Sequence, residues 1–582
     1  MRLIRIFGDN TNMGIVIAKT AIMFFGLNCL KTSKAYFSVY ILCTMIGAME
    51  VYACYQKKET LQRRERLIGL VFAAIFAGMV TLGNYPIYTE LEAGFKKAAT
   101  FLGILLGEAV TGYHMLLFMY RRMEHAEEKR TQGREKVFAI TFVLSVLFVG
   151  IYWFFTGYPG NLSYDSINQI KQIQSGVYSN NHPFWHTMII KLWYDLGMLL
   201  FREINAAVAL YSFMQILSMA AVFSLAVMSL YEAGTPMWYV CGAAAIYIFS
   251  PYHHGLMITM WKDPLFSASL LLLLIGLFRM FSNIGKITWN SFFIVCGGIG
   301  FGLIRNNGWP VLLISAVLAC ILLKKRVPVL LIACVLITGI MKWPVLSLLK
   351  VEKMDFTEAM TLPVQQIARV LWEGHDMTDE ERAFLRNVSA DPDDIAGIYD
   401  PKLSDPVRVD FRTAGREYLK HHLWNYIKFW IKFGKEHPAE YMRAWIDQTN
   451  GYWNAGYRYW LFLTDVEYNE LGIEHKTRSV ALETFYSQYD TIYFQLTIFD
   501  PLRAIGFHAW LGLIALFIGI MRKNRNIVFL AIPVVLTWAM LCLGAPVNSE
   551  FRYAYPLFTC VPFLMGIALF PGKSRKEQGM AL

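Results

Sequence analysis

The chain has 582 residues, of which 56% are hydrophobic and 17% charged, and its mean hydropathy is +0.39. A soluble domain of average composition is less apolar, at about 45–50%, and more charged, at about 25%. Apolar runs such as 264–281 and 527–544 contain at most one charged residue, which excludes a soluble enzyme, a disordered chain and a secreted disulfide scaffold. The net charge of +11 lies largely in short basic clusters between apolar runs, as at 57–66 and 121–136. The position of this charge therefore indicates how the spans are oriented in the membrane, and it indicates no nucleic-acid partner.

Fourteen apolar segments are candidate membrane spans, and the basic clusters between them decide their orientation. Lys and Arg beside membrane spans are retained on the cytoplasmic side. With the cluster at 57–66 placed there, the other clusters and both termini fall on the same side, whereas 157–205 and 350–505 fall outside. We therefore expect an all-α polytopic protein of the cell membrane with an extracytoplasmic active site. The predicted spans lie near 13–30, 35–55, 67–82, 98–120, 137–156, 206–231, 238–256, 264–281, 287–304, 310–323, 327–346, 506–520, 527–544 and 555–570.

Four regions follow from this arrangement. An N-terminal extension of four spans precedes a transmembrane core, which includes the first long outer loop, 157–205. In the polar region that comes next, apolar residues recur at helical spacing over 413–433 and 438–448, which predicts a mainly helical extracytoplasmic domain. A three-span bundle and a cytoplasmic tail end the chain. The predicted boundaries are 1–136, 137–349, 350–505 and 506–582.

The first outer loop contains the candidate for a catalytic residue. A Pro-Gly turn is followed by SYDSINQIKQIQ, in which Ile167, Ile170 and Ile173 predict a short surface helix with one apolar face. Asp165 lies in its first turn, where the helix dipole favours an ionised carboxylate that can act as a general base. Gln169 lies one turn further on the same face. The alternative is that Asp165 only caps the helix.

Three cations are predicted to share the outer level with this helix. Lys262 begins a span in WKDP and adjoins Asp263, while Arg305 and Arg552 lie at span ends in RNNGWP and FRYAYP. Outer cations are unexpected under the positive-inside bias, and Lys and Arg suit the recognition of phosphate oxygens. Each one alone is explained as a structural anchor of a helix end. Together they predict a phosphate-binding cluster.

The remaining candidates have a structural explanation beside the functional one. His182 precedes a proline in NNHP and has either a positioning role or a role only in the turn. Trp445, Tyr452 and Trp453 offer ring faces to a sugar, although a membrane-interface belt or core packing is the favoured explanation. No metal site is predicted. The oxygens of DPDD at 391–394 are compatible with a divalent cation but do not indicate one, because they lack the spacing of a calcium loop, and the cysteines show no zinc spacing.

The order of these elements resembles the GT-C superfamily of membrane glycosyltransferases. The resemblance rests on PGNLSYDSINQ with Asp165, followed by NNHP, WKDP and FRYAYP, and it extends over about 137–570 by order of elements. The chain is similar in particular to poorly characterised bacterial members of that superfamily, in which D-x-x-x-Q followed by His-Pro occupies the first outer loop. Two features depart from the family pattern: four spans precede the core, and the acidic position is a single Asp instead of an acidic pair.

The resemblance implies that a sugar is transferred, with inversion, from a polyprenyl-phosphate donor to an extracytoplasmic glycan, lipid or protein acceptor of the cell envelope. Asp165 is then the general base, and no cofactor is required. We expect the other candidates to contact the substrates. These are Gln169, His182, Lys262, Asp263, Arg305, Arg552 and Tyr553, with Trp445, Tyr452 and Trp453 as acceptor contacts.

Other functions fit the same composition. A lipid-linked glycan polymerase or ligase also needs many spans and outer arginines, although a base at Asp165 fits GT-C transfer better. A lipid or sugar flippase or transporter predicts ionisable residues near the middle of the membrane. Lys19, Glu50 and Glu108 are the main residues of that kind, and all three lie in the first four spans. A non-catalytic scaffold is a further alternative.

Overall fold

The computed structural model describes residues 12–32, 36–57, 61–122, 126–323, 326–457 and 465–571. Within those ranges the chain folds into α-helices, short 3₁₀ turns and loops, with isolated β-bridges but no β-strand. The predicted all-α fold is therefore confirmed. Both termini and the basic cluster at 573–576, on which the predicted orientation partly depends, lie outside the described residues.

The first helices form a bundle in which glycines permit close approach. Gly26 meets Gly103 and Gly107 of another helix, and a Cβ atom at Gly26 would lie 2.8 Å from the Gly107 Cα atom. Small residues at such crossings let apolar helices pack with their backbones close together. The helices of this region are α1 (Met13–Cys29), α2 (Phe37–Lys57), α3 (Arg63–Gly83), α4 (Pro86–Thr89), α5 (Gly94–Arg121) and α6 (Arg134–Phe155), with a 3₁₀ turn at Leu30–Thr32.

The central helices surround α12, most of whose side chains are buried. This helix packs against α9, α13 and the last helix of the chain. Two shorter helices, α7 and α8, lie between α6 and α9. The central helices are α7 (Tyr164–Ser175), α8 (Phe184–Phe201), α9 (Ile204–Glu232), α10 (Met237–Phe249), α11 (Pro251–Met257), α12 (Lys262–Phe281), α13 (Ile287–Ile304), α14 (Gly308–Leu322), α15 (Arg326–Lys342) and α16 (Pro344–Leu348).

The polar stretch after α16 has a hydrophobic core of its own, which includes Val364, Ile367 and Phe411. The helices predicted over 413–433 and 438–448 are present, and the first belongs to a longer helix that is bent at a residue with non-helical backbone angles. Turns form at 391–394, as expected of DPDD. The helices here are α17 (Thr361–Trp372), α18 (Asp379–Leu385), α19 (Asp405–Glu436), α20 (Pro438–Trp453), α21 (Val480–Gln495) and α22 (Asp500–Arg503), with 3₁₀ turns at Phe356–Met360 and Thr497–Phe499.

The chain is a multi-pass helical membrane protein. Ten described helices are long and apolar enough to cross a membrane, or eleven if the bent pair Thr497–Arg503 and Ile505–Met521 is one span. The predicted number of fourteen is not confirmed, because three of the predicted segments form shorter apolar helices. These three are α1, α10 and α14, and the chain ends with α23 (Ile505–Met521), α24 (Arg525–Gly544) and α25 (Phe551–Leu569).

The span predicted over 238–256 is divided at a proline. Ser250 is extended, with ψ 129°, and α10 therefore ends at Phe249 before Pro251 begins α11. A residue that precedes proline is driven away from helical angles by the proline ring. A hydropathy average does not reveal this break, because one proline hardly lowers the mean hydropathy of an otherwise apolar segment.

Candidate functional site

Helix α7 begins and ends where its sequence dictates. The extended backbone of Ser163 precedes it, and Gly176 ends it in the left-handed conformation at φ 72°. Its apolar face, Ile167, Ile170 and Ile173, is buried, as the spacing predicts. Asp165 lies in the first turn, as predicted, and its side chain is 29% exposed.

The start of α7 is held against the segment that precedes α12. The Ser166 hydroxyl donates to the carbonyl of Met260 at 2.8 Å, and the Trp261 indole donates to the Ser163 hydroxyl at 2.6 Å. The Met260 amide in turn donates to the carbonyl of Asn161 at 2.9 Å. These bonds place the first turn of α7 beside the first turn of α12.

Asp165 therefore lies between two cations that come from distant parts of the chain. Its Oδ2 atom is 3.3 Å from an amino nitrogen of Arg552 and 3.9 Å from Nζ of Lys262. The Arg552 guanidinium lies over the Trp261 ring, 4.7 Å from the ring centroid. The structure thus brings together three residues that the sequence predicted to lie at one level.

Arg305 and Asp263 form the neighbouring ion pair. An Arg305 amino nitrogen is 2.7 Å from Asp263 Oδ1, and the Asp263 side chain is fully buried. The Arg305 guanidinium also lies over the Tyr553 ring, at 4.6 Å from its centroid. Asp263 holds Arg305 at 2.7 Å, whereas the carboxylate contacts of Arg552 and Lys262 are longer, at 3.3 Å or more, so these two cations are more available to an anionic ligand. We call Lys262, Arg305 and Arg552 the cation cluster.

The cations control the ionisation of Asp165. Burial alone would raise the pKa of its carboxyl, but the positive charges of Lys262 and Arg552 outweigh burial and hold that pKa below its ordinary value. Asp165 is therefore ionised at neutral pH. Glu550, whose carboxylate is 3.5 Å from Nε of Arg552, has a pKa raised by burial despite that contact.

Tyr452 and Trp453 support the site from within the protein. Both side chains are fully buried. The Tyr452 hydroxyl donates to the carbonyl of Val547 at 2.7 Å and accepts from the Glu550 amide at 3.1 Å, so it holds the loop that leads to Arg552. Trp453 stacks on Trp445 with ring centroids 5.3 Å apart. Their predicted role as acceptor contacts receives no support, because these two buried rings offer no open face.

Gln169 and His182, the other two candidates of the first outer loop, have different surroundings. The Gln169 amide is 3.0 Å from Nδ1 of His186 and donates to the Thr187 hydroxyl at 2.8 Å, so it joins α7 to α8 from a buried position. Burial and the charge of Lys262 lower the pKa of His182 to about 4, which keeps its ring neutral near Asp165. Gln169 therefore positions the helix and is not open to a substrate.

Acid is expected to destabilise the protein through His186. Burial and the charge of Lys262 lower the pKa of this fully buried histidine to about 3, whereas an unfolded histidine titrates near 6.5. Between these values the unfolded chain binds the additional proton, so stability falls as the pH falls from 6.5, by about 1.4 kcal/mol per pH unit. The free energy of unfolding of His186→Gln, measured from pH 4 to 7, should show a shallower slope than wild type. His421→Gln, at an exposed histidine, is the control, and an unchanged slope in His186→Gln would contradict the assignment.

An apolar cavity adjoins the cation cluster. Its volume is about 270 Å³, and its lining includes Trp193, Leu265 and Ile304. Leu265 lies one turn after Lys262 on α12, and Ile304 directly precedes Arg305. The cavity therefore lies between α8, α9 and α12, and two of its lining residues are close neighbours of Lys262 and Arg305 in the chain.

Sequence reasoning missed two residues of this site. Trp261 and Glu550 both contact the Arg552 guanidinium. Trp261 directly precedes Lys262 in WKDP, and Glu550 lies two residues before Arg552 in SEFRYAYP. Closeness in sequence to a predicted cation is therefore the signal that could have identified both residues.

Comparison with known proteins places the chain in a family. Residues 173–579 match the model of a "Family of unknown function (DUF6020)", and since the match covers more than half of the chain, the chain belongs to that family. The matched range includes the whole cation cluster, whereas Asp165 and Gln169 lie just before it. No curated protein and no solved structure matches the chain.

Proposed function

We propose that this protein is a GT-C-type membrane glycosyltransferase that moves a sugar from a polyprenyl-phosphate donor to an extracytoplasmic acceptor of the cell envelope. One observation carries the proposal. An ionised carboxylate, Asp165, lies within 4 Å of Lys262 and Arg552, which come from two different membrane-spanning helices. A base beside a phosphate-binding pair is the arrangement that transfer from a sugar phosphate requires.

The proposed reaction uses each group once. Asp165 accepts the proton of an acceptor hydroxyl while the hydroxyl oxygen attacks the anomeric carbon of the donor sugar. The bond from that carbon to the phosphate oxygen breaks, and polyprenyl phosphate leaves with the electron pair. Attack opposite the leaving group inverts the anomeric configuration. Lys262 and Arg552 stabilise the additional negative charge on the phosphate, and preorganised cations are effective because they need no rearrangement.

The apolar cavity beside the cations suits the lipid part of such a donor. A polyprenyl chain is apolar, and the lining of the cavity includes Leu265, Ile304 and Val222. The phosphate would lie at the cations while the chain passes between α8 and α12. This division of charged and apolar groups explains why a sugar transferase of this kind is built from membrane helices.

We assign the acceptor to a second cavity, of about 580 Å³, instead of the rings of partly buried Trp445 and fully buried Tyr452 and Trp453. Its lining includes Asp465, Glu483 and Asp490, together with the Tyr152 and Tyr486 rings. The carboxylates repel a phosphate and accept hydrogen bonds from hydroxyl groups, while tyrosine faces suit sugar rings. Asn161, in the segment that leads into α7, also lines this cavity. A neutral polyhydroxylated acceptor is therefore favoured.

The proposal is tested by sugar turnover in proteoliposomes containing the full chain. Radiolabelled polyprenyl-monophosphate sugars and polyprenyl-pyrophosphate oligosaccharides would be supplied in parallel, and donor loss and the anomeric configuration of the product measured. Consumption of a monophosphate donor with inversion supports the proposal. Consumption of the pyrophosphate donors alone would replace it with a glycan polymerase or ligase. No transfer from any donor, with labelled lipid crossing the bilayer, would replace it with a flippase.

Removal of the Lys262 charge is expected to weaken donor binding. A hydrogen bond to a charged group contributes about 1.5–3 kcal/mol, so Lys262→Met should raise the donor KM by about 10–100-fold. Lys191→Met is the matched control, because Lys191 lies on exposed α8 surface and pairs with Asp195 at 2.7 Å. Equal donor KM values for the two variants would contradict a phosphate contact at Lys262.

Transport is a second candidate, favoured by the N-terminal bundle. Lys19, Glu50 and Glu108 are all buried there, and Glu50 pairs with Arg121 at 3.0 Å. Among the described residues, the Glu108 carboxylate oxygens have no hydrogen-bond partner. Buried ionisable groups in membrane helices commonly mark ion or proton pathways. Loss of ion flux in Glu108→Gln proteoliposomes, with sugar transfer retained, would assign a separate transport function to this bundle.

A further inference from the structure

A cluster of possible metal ligands lies where the loop after α17 meets the start of α20, apart from the site described above. Gly374, at φ 86°, turns the chain after α17 and places His375 in the following loop. His437 directly precedes α20, and Glu440 lies in the first turn of that helix. Two histidines and a carboxylate thus converge from distant parts of the sequence.

The distances within this trio suit one shared ion. His375 Nε2 is 3.5 Å from Glu440 Oε1, and the two imidazole rings have centroids 4.5 Å apart. One ligand atom from each residue lies within 4.8 Å of the others. Around tetrahedral zinc, bonds of about 2.0–2.1 Å separate neighbouring ligand atoms by about 3.3 Å. The remaining adjustment is small, and His375, which is 42% exposed, is free to rotate towards the other two.

We propose that His375, His437 and Glu440 bind a divalent ion of the zinc class. Imidazole nitrogen suits zinc and its transition-metal neighbours, whereas magnesium and calcium take mainly oxygen ligands. Three protein ligands leave the fourth position of a tetrahedral ion to water. The sequence indicated no metal here, because His437 lies 62 residues after His375 in the chain and the three ligands share no short motif.

The carboxylate of Glu440 is available to bind a metal ion, whereas that of Glu373, the acidic residue at the end of α17, is not. Glu373 is bound by Arg369 at 2.7 Å and by Arg443 at 2.8 Å, so its charge is already balanced. Within the described ranges, the side chain that pairs with Glu440 is that of His375, and no Lys or Arg neutralises its charge. A cation between these two side chains would replace a weak contact with metal bonds.

The ion would extend an existing row of contacts between α17 and α20. The Gln366 amide donates to the Tyr441 carbonyl at 3.2 Å, and an Arg369 amino nitrogen is 2.6 Å from an oxygen of Asp447. The opposite end of α20 holds the loop before Arg552 through Tyr452. A metal at the start of α20 therefore stabilises a helix that supports the candidate site.

The test uses the full-length protein in detergent, without a polyhistidine tag and after treatment with a chelator. Zn²⁺ is titrated in a calorimeter, and the thermal midpoint of unfolding is measured with and without one equivalent. We expect one saturable Zn²⁺ site per chain and a higher midpoint in the loaded protein. His437→Ala and Glu440→Gln should each lose the saturable site and the increase.

His421→Ala is the matched control, because His421 is an exposed histidine of α19 that lies 4.0 Å from a single carboxylate, that of Glu417. This variant should bind Zn²⁺ as wild type does. If His437→Ala does not fold, His375→Gln at the exposed position provides the same information. An absence of saturable binding in wild type, or wild-type binding in both His375→Gln and Glu440→Gln, would overturn the proposal. Sugar transfer is not part of these measurements, so their outcome is independent of the proposed enzyme.

Discussion

Asp165→Asn is expected to lower sugar turnover by about 10²–10⁴-fold, the usual contribution of a general base. The asparagine side chain keeps the shape of aspartate but cannot accept the proton of the acceptor hydroxyl. Because Lys262 and Arg552 hold the pKa of Asp165 below its ordinary value, wild type should show no loss of this base between pH 5 and 8. The turnover number of Asp165→Asn, measured over the same range with a saturating donor, should be low throughout.

Asp195→Asn is the matched control for this loss. Asp195 is half exposed on α8 and pairs with Lys191, so it resembles Asp165 in charge but lies outside the cation cluster. Its turnover should equal that of wild type. If Asp165→Asn turns over at the wild-type rate, Asp165 is only a helix cap, and the base must be sought elsewhere. If the turnover number is retained and only the donor KM changes, Asp165 orients Lys262 and Arg552 without accepting a proton.

Local sequence patterns were sufficient to predict helix α7 and to predict that the three cations of the cation cluster lie at the same level as Asp165. The repeat of Ile167, Ile170 and Ile173 predicted the buried face, and the position of Lys262 at the end of an apolar run predicted the start of α12. Both features depend on neighbours in sequence. The distances from Asp165 to Lys262 and Arg552 agree with the predicted clustering, although no spacing in the sequence could predict which cation approaches more closely.

Features that depend on packing between distant segments could not be predicted. Core packing, one of the explanations favoured for Tyr452 and Trp453, is confirmed, because both rings are fully buried at the end of α20. The sequence could not predict, however, that the Tyr452 hydroxyl bonds the loop before Arg552. The pairing of Arg305 with Asp263 is of the same kind, since α12 and the end of α13 meet only in the folded bundle. Hydropathy likewise predicted one continuous span over 238–256, because it records how apolar a segment is and does not detect the break in the helix before Pro251.

Arg305→Met is expected to lower the free energy of unfolding by about 3–5 kcal/mol, because it leaves a buried charge without its partner. The Asp263 side chain is fully buried, and its Oδ1 atom is 2.7 Å from Arg305. Methionine retains an apolar side chain of similar length but loses the guanidinium contact with the Tyr553 ring. The measurement is chemical unfolding in mixed detergent micelles, with Lys171→Met as the control at the exposed pair with Glu470, which should cost about 0–1 kcal/mol.

A second variant separates charge from packing. Asp263→Asn added to Arg305→Met removes the unpaired carboxylate, so the double variant should recover much of the stability that the single variant loses. If the double variant is no more stable than Arg305→Met, Arg305 acts through its contacts with the Tyr553 and Phe266 rings. A cost for Arg305→Met as small as that for Lys171→Met would contradict a buried ion pair. In that case the Arg305 charge is unbalanced, and the phosphate of the donor would have three cations available instead of two.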